Sequence, residues 1–304
     1  MSTRLERPIF FVGMPRSGTT LLFEPFAHHP DLGWHSNYSQ SYPTRPWLNA
    51  LDRLFRGGLL DLSPRKLQYG KKILGNRFIP YPDEAYSFWD LFSSVNFSRS
   101  YLLDVSPKPE AVDTVRSETE RILRWQGRRR LTDKFTGPSR IEFLRQLFPD
   151  ALFIHILRDG RAVTHSLLRV PFWKDKGGFT APFWEGGFPA DSVEVWERED
   201  RDPGVLAALQ WSHIVDTTRQ AGHALGEESY MELRYENFIE DPERCLREMY
   251  AFAGLTFSES GARVLKNGPP VKNMNFKFRD DFDIAYVKKL DSIMQSSLQS
   301  FGYL

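Results

Sequence analysis

The stretch Ile9 to Thr20, IFFVGMPRSGTT, constrains the fold more than any other part of the chain. Ile9, Phe10, Phe11 and Val12 form a bulky apolar run suited to a strand buried on both faces. Gly13 and Pro15 stop that pattern, and Gly18-Thr19-Thr20 opens a helical run through Leu21-Leu22-Phe23. A strand, tight loop and helix joined in this way aim unpaired backbone N–H groups and the positive end of a helix dipole at one point. A phosphate or sulfate group is what such a point holds.

The glycine spacing is the G-x-x-x-x-G of a P-loop, but Thr19 stands where a nucleotide kinase or ATPase carries lysine. The cation sits inside the loop instead, as Arg16. A lysine after the second glycine bridges the β- and γ-phosphates of a triphosphate with Mg²⁺ nearby, whereas an arginine within the loop offers a planar fork to one terminal oxyanion. Arg16, Ser17, Gly18, Thr19 and Thr20 therefore suit a 5′-phosphate anhydride without a γ-phosphate. A glycine-rich turn that merely joins strand to helix is the plainer alternative.

With 304 residues, 41% of them hydrophobic, the chain can build a large core around that strand. Forty basic residues balance 39 acidic ones, so no global field favours nucleic acid, and anion specificity must be local. A single cysteine, Cys245, excludes an intrachain disulfide framework and a cysteine-based metal site. No H-x-x-x-H or paired-carboxylate spacing calls for a metal. The N-terminus lacks a secretory h-region and no apolar run is long enough to span a membrane, so a cytoplasmic protein is expected.

Beyond the first helix, residues 31–103 mix Gly, Pro and Trp with weak helical patterns, among them Asn49 to Phe55 and Pro80 to Trp89, and read as an irregular cap. Thr114 to Trp125 is an amphipathic helix, and Arg128-Arg129-Arg130 reads as a solvated basic turn. Leu131 to Lys134 is a strand candidate, Ser139 caps a helix from Arg140, and Ala151 to Leu157 is a second buried strand that ends in Arg158-Asp159-Gly160 before a helix to about Arg169. Residues 170–203, rich in Gly, Pro, Phe and Trp, read as a lid or acceptor-site loop. A long helix from Val205 leads to a strand over Ser229 to Tyr235. Alternating strands and helices predict an α/β fold, a doubly wound parallel sheet with helices on both faces, in one domain over 1–304 with 31–103 and 170–203 as insertions. Ligands of that class sit at the carboxyl ends of the strands, where Gly13, Lys134 and Arg158 are expected.

Arg158 and Ser166 stand eight residues apart, one at a strand end and the other two turns into the next helix, so both can reach one anion. Together with Pro15-Arg16-Ser17-Gly18-Thr19-Thr20, the run Arg158-Asp159-Gly160-Arg161-Ala162-Val163-Thr164-His165-Ser166 resembles the PAPS-dependent sulfotransferases, whose fold is P-loop-like. In that family P-[KR]-S-G-T-T binds the 5′-phosphosulfate of 3′-phosphoadenosine 5′-phosphosulfate (PAPS), and R-D-x-R-x-x-x-x-S binds the 3′-phosphate. The resemblance continues through Leu233-Arg234-Tyr235-Glu236-Asn237-Phe238, with Tyr235 placed near the adenine, and through Val271 to Lys277, which is similar to a tyrosylprotein-branch segment supplying a cofactor-binding lysine, here Lys272. It covers residues 8–30, 131–170 and 229–304. It implies metal-independent, in-line transfer of a sulfuryl group to a hydroxyl or amine, with charge on the leaving phosphate neutralised by Arg16, the loop N–H groups and Lys134.

The resemblance weakens at the general base. Relatives in the tyrosylprotein branch place a glutamate eight residues after a His-Pro pair, and Asn37 stands at that distance from His29. His35 and Glu84 are the candidates for the role. The acceptor is expected to be a small molecule, a glycan or a tyrosyl side chain, with no nucleic acid or membrane span involved. A P-loop kinase or hydrolase and a non-catalytic nucleotide-binding module are the competing readings. Thr19 and the lack of a strand ending in a Walker-B-like aspartate argue against the former.

Overall fold

The computed structural model describes residues 5–56, 79–268 and 272–304. Strands β1 (Ile9–Gly13), β2 (Leu32–Gly33), β3 (Arg130–Thr136), β4 (Leu152–Leu157) and β5 (Tyr230–Arg234) form one sheet in the order β2-β3-β1-β4-β5, with every pairing parallel. The apolar run Ile9 to Val12 is the central strand, and its alternation divides the core. Phe10 and Val12 join Phe135, Phe153 and Leu144 on one face; Ile9 and Phe11 join Phe23, Phe26, Ile154 and Met249 on the other. Helices Pro109–Gln126 and Ile141–Leu147 cover the first face, and α1 (Thr19–Ala27) with helix Pro242–Ala253 the second. The α/β class with helices on both faces is thus as the sequence predicts. Because the chain builds outward from β1 first on one side and then on the other, a crevice opens at the carboxyl ends of β1 and β4.

Several local expectations need correction. Strand β3 continues to Thr136, so Lys134 lies inside it, level with Phe11, rather than at its end. Strand β5 stops at Arg234, and Tyr235 opens the helix Tyr235–Glu240. Ser139 caps nothing: helix Ile141–Leu147 begins after Arg140, whose buried guanidinium donates to the carbonyls of Phe97 and Pro138. The basic triplet is only partly a solvated turn: Arg129 is exposed, but Arg128 donates to the Pro30 carbonyl at 2.6 Å and Arg130 to that of Ala253 at 2.6 Å.

Within the cap, the described residues carry a 3₁₀ turn Pro46–Leu51 and helices Asn37–Ser41, Asp52–Phe55 and Tyr86–Phe92; positions 57–78 lie outside the described residues. The expected lid is not a loose cover. Trp173, Phe183 and Trp184 are buried with Trp211 and Val163, while Phe172, Phe183 and Trp184 also face a cleft. No helix among the described residues is long and apolar enough to cross a membrane.

Candidate active site

At the end of β1 the chain turns under tight constraint. A Cβ on Gly13 would stand 2.6 Å from the Ile156 carbonyl oxygen, and Gly18 has φ +88° with a would-be Cβ 2.5 Å from the Tyr235 ring. Arg16 between them also takes a positive φ, +75°, an unusual conformation for a side-chain-bearing residue. Gly18 gives α1 no side-chain cap; Leu21 N–H donates to the Gly18 carbonyl at 2.8 Å, and the Thr19 and Thr20 N–H groups have no partner among the described residues. Two hydroxyls are buried without a partner there, Ser17 Oγ and Thr19 Oγ1. Buried hydroxyls left unmatched beside free N–H groups are the arrangement an oxyanion completes, which is the fit expected for a phosphosulfate.

Strand β4 delivers the second cationic group. Arg158 follows it and donates from Nη1 to the Arg16 carbonyl at 2.7 Å and from Nε to Asn275 Oδ1 at 2.8 Å, with its guanidinium 4.4 Å from the Tyr235 ring centre. Ser166, on the helix Gly160–Leu167, accepts from Arg16 Nε at 2.9 Å across 150 residues of sequence. Arg16, Arg158 and Ser166 therefore meet. Arg16 reaches the serine assigned to the 3′-phosphate, a placement that spacing did not predict. Burial lowers the Arg158 pKa, as expected of a cation withdrawn from water before its anion arrives.

Two residues the sequence reading passed over complete this end. Asn275 donates to Glu236 Oε1 at 2.5 Å, and Glu236 also accepts from the Asp159 N–H at 3.3 Å and the Tyr303 hydroxyl at 3.1 Å. Both lie in the segments that carry the resemblance, yet nothing in their spacing marked them as partners of Arg158. Tyr235 donates its hydroxyl to the Lys272 carbonyl at 3.1 Å, so it is the backbone of Lys272 that is held, while its side chain is exposed.

The two candidate bases have different surroundings. His35 is fully buried, with Nδ1 2.5 Å from Asp133 Oδ2 and its ring packed on Phe88 and Trp89. Asp133 engages its Nδ1, and its Nε2 is buried without a partner among the described residues. Glu84 instead pairs with Lys134 Nζ. Neighbouring residues on a strand point to opposite faces, so Asp133 and Lys134 separate these two partners. Ala85 between Glu84 and Tyr86 has φ +47° and no exposure, and Tyr86 donates its hydroxyl to the Thr136 carbonyl at 2.9 Å. A strained backbone thus holds the cap's acid against the lysine.

A cleft of about 340 Å³ reaches from Pro15 of the loop and Thr136 at the end of β3 to the cap and residues 172–184. Among the described residues no cluster of His, Cys, Asp and Glu forms a candidate metal site.

The model of the sulfotransferase family matches residues 8–259. Omega-hydroxy-beta-dihydromenaquinone-9 sulfotransferase Stf3 of Mycobacterium bovis is 31% identical over 273 residues, covering 82% of this chain and 63% of its own length. Nodulation protein NoeE of Sinorhizobium fredii is 25% identical over 254 residues, covering 83% of this chain and 50% of its own. An uncharacterised protein of Aquifex aeolicus is 26% identical over 279 residues, 90% of this chain and 28% of its own length. The chain thus spans 28 to 63% of these curated relatives. Among solved structures, sulfotransferase STF9 from Mycobacterium avium superposes with TM-score 0.60 at 20% identity, covering 97% of this chain and 77% of that one. The sulfotransferase domain from the curacin biosynthetic pathway gives 0.57 at 15% identity, with 99% of each chain covered. At these identities the two structures speak to the fold.

Proposed function

Because this chain belongs to the sulfotransferase family, we propose that it moves a sulfuryl group from PAPS to a hydroxyl or amine acceptor. The observation that carries this reading is the meeting of Arg16, Arg158 and Ser166 beside the helix N-terminus. A cationic and hydroxyl group separate from the loop's own N–H groups is what a nucleotide with a 3′-phosphate needs and ATP does not.

When bound, the cofactor supplies an S–O bond whose cleavage leaves charge on its 5′-phosphate. The loop N–H groups, Ser17, Thr19 and Thr20 hold that phosphate, with Arg16 balancing charge between it and the 3′-phosphate group held by Arg158 and Ser166. Tyr235, packed under Gly18 and Arg158, floors the site. Lys134 has three donors and spends one on Glu84, leaving others for the bridging oxygen as the bond breaks. Glu84, held on Lys134 at the edge of the cap, is the carboxylate to take the acceptor's proton. We assign the base to Glu84 and a structural role to His35.

Thermal shift with 3′,5′-ADP, 5′-ADP and ATP·Mg²⁺ tests the donor, and transfer of labelled sulfate from PAPS into a host lysate tests turnover. The expected order is 3′,5′-ADP well above 5′-ADP, with sulfated product. A preference for ATP·Mg²⁺ overturns the reading in favour of a kinase or hydrolase, and binding without transfer leaves a non-catalytic module.

A further inference from the structure

The cleft beside Pro15 and Thr136 carries polar groups of two kinds. Several of the neutral and acidic ones are engaged: Gln40 Nε2 donates to Ser87 Oγ at 2.7 Å, the Ser87 N–H returns to Gln40 Oε1 at 3.1 Å, and Asp90 Oδ1 accepts from the backbone N–H of Ser98 at 2.8 Å. The cations are not. Among the described residues neither Arg99 nor Lys176, both of which line the cleft, has an ion pair or a side-chain hydrogen bond.

Arg99 is also held in place. Its carbonyl accepts from the Glu185 N–H at 2.8 Å, the Tyr101 N–H donates to the Glu185 carbonyl at 2.9 Å, and Ser100 bridges to Glu185, so cap and lid are stitched together at this residue. Its guanidinium lies 4.4 Å from the centre of the Phe183 ring, which is stacked on Trp173 at 4.5 Å and 8°. One face of the guanidinium is thereby fixed on an aromatic pair while its donors in the plane stay unused, which is an arginine preorganised for a planar or tetrahedral oxyanion.

We propose that this cleft is the acceptor site and that the acceptor carries an oxyanion, a carboxylate or a phosphate ester, which Arg99 holds with Lys176 at the mouth. This deepens the sulfotransferase reading and rests on it for the identity of the transferred group. A neutral polyhydroxy acceptor is the poorer match, because several of the groups that would read its hydroxyls are already engaged. Arg99 sets acceptor choice and takes no part in the bond-breaking step.

The test is isothermal calorimetry on the full chain saturated with 3′,5′-ADP, using 3-(4-hydroxyphenyl)propanoate and 12-hydroxydodecanoate, each against its own amide. At least one acid should bind about tenfold or more tightly than its amide. In Arg99→Gln that preference should fall to about unity, with amide and 3′,5′-ADP binding unchanged within about twofold, and Arg99→Lys should keep part of it. The proposal is overturned if neither acid out-binds its amide in the wild type, or if the preference survives in Arg99→Gln. A chain that ignores 3′,5′-ADP yet shows the Arg99-dependent preference, measured without nucleotide, would break the sulfotransferase reading alone.

Discussion

The proposed reading gives the crevice a nucleotide end and an acceptor end, and the two differ in how their charges are satisfied. At the nucleotide end the cations already bond to the protein: Arg16 to Ser166, Arg158 to Asn275 and to the Arg16 carbonyl, and Asn275 onward to Glu236. At the acceptor end Arg99 and Lys176 line the cleft without an ion pair among the described residues. A nucleotide must exchange its oxygens for protein ones at nearly constant bond number, so selectivity there comes from geometry. An acceptor supplies partners the protein lacks, so selectivity there comes from charge. The Glu84–Lys134 pair joins cap and sheet, and the proposed mechanism gives it the chemical step.

The largest expected effects fall on that pair. Glu84→Gln should lower kcat by about 10²–10⁴ with an alcohol acceptor and far less with an acidic phenol, which is already ionised and needs no base. Lys134→Ala should lower it by about 10²–10³ with either acceptor and barely change 3′,5′-ADP affinity. Equal losses for both acceptors in Glu84→Gln would place the base elsewhere. Steady-state rates over a series of acceptor pKa values distinguish these outcomes.

Next comes the nucleotide end. Arg158→Ala should weaken 3′,5′-ADP by about 10–100-fold and leave 5′-ADP nearly unchanged, because the lost contact belongs to the 3′-phosphate. Titration calorimetry reads both, and parallel losses would remove that assignment. Gly18→Ala should destabilise the fold by about 1–2 kcal/mol through its left-handed backbone alone, with the Tyr235 clash added. Chemical denaturation showing no loss would mean that the loop relaxes and that the nucleotide end is less rigid than its bonding implies.

The smallest effect lies on the far side of the sheet. His155 is buried against the Tyr230 hydroxyl at 2.7 Å, and burial pushes its pKa down to about 3. The unfolded histidine, near about 6.5, binds a proton over the interval between the two values. Stability is therefore whole above that upper value and falls as the pH drops through the interval, by about 1.4 kcal/mol per pH unit from this residue. His155→Gln should flatten that part of the melting-temperature profile and leave nucleotide and acceptor binding as they are. A change in either binding constant would show that this side is coupled to the crevice.

The position of His35 shows where reading from sequence stops. Its type and its distance from the His-Pro pair made it a candidate base, but whether it meets solvent depends on where Phe88, Trp89 and Asp133 fold, and those lie far along the chain. Arg16 is the converse case: its presence in the loop was plain, while its bond to Ser166 required the two elements to be brought together. The lid's aromatic content is plain in the sequence, but that Trp173 is core while Phe172, Phe183 and Trp184 line a cleft depends on the tertiary fold.

What the sequence by itself determined was the strand, loop and helix of Ile9 to Ala27, the parallel α/β class and the Arg158–Ser166 spacing. Each depends on neighbouring residues, whose backbone geometry and periodicity are set locally. Tertiary structure alone decided which acid meets Lys134, what engages Arg158, and which cleft cations have no ion pair among the described residues. Those outcomes depend on burial and on contacts between segments many residues apart, and neither is encoded in any one stretch.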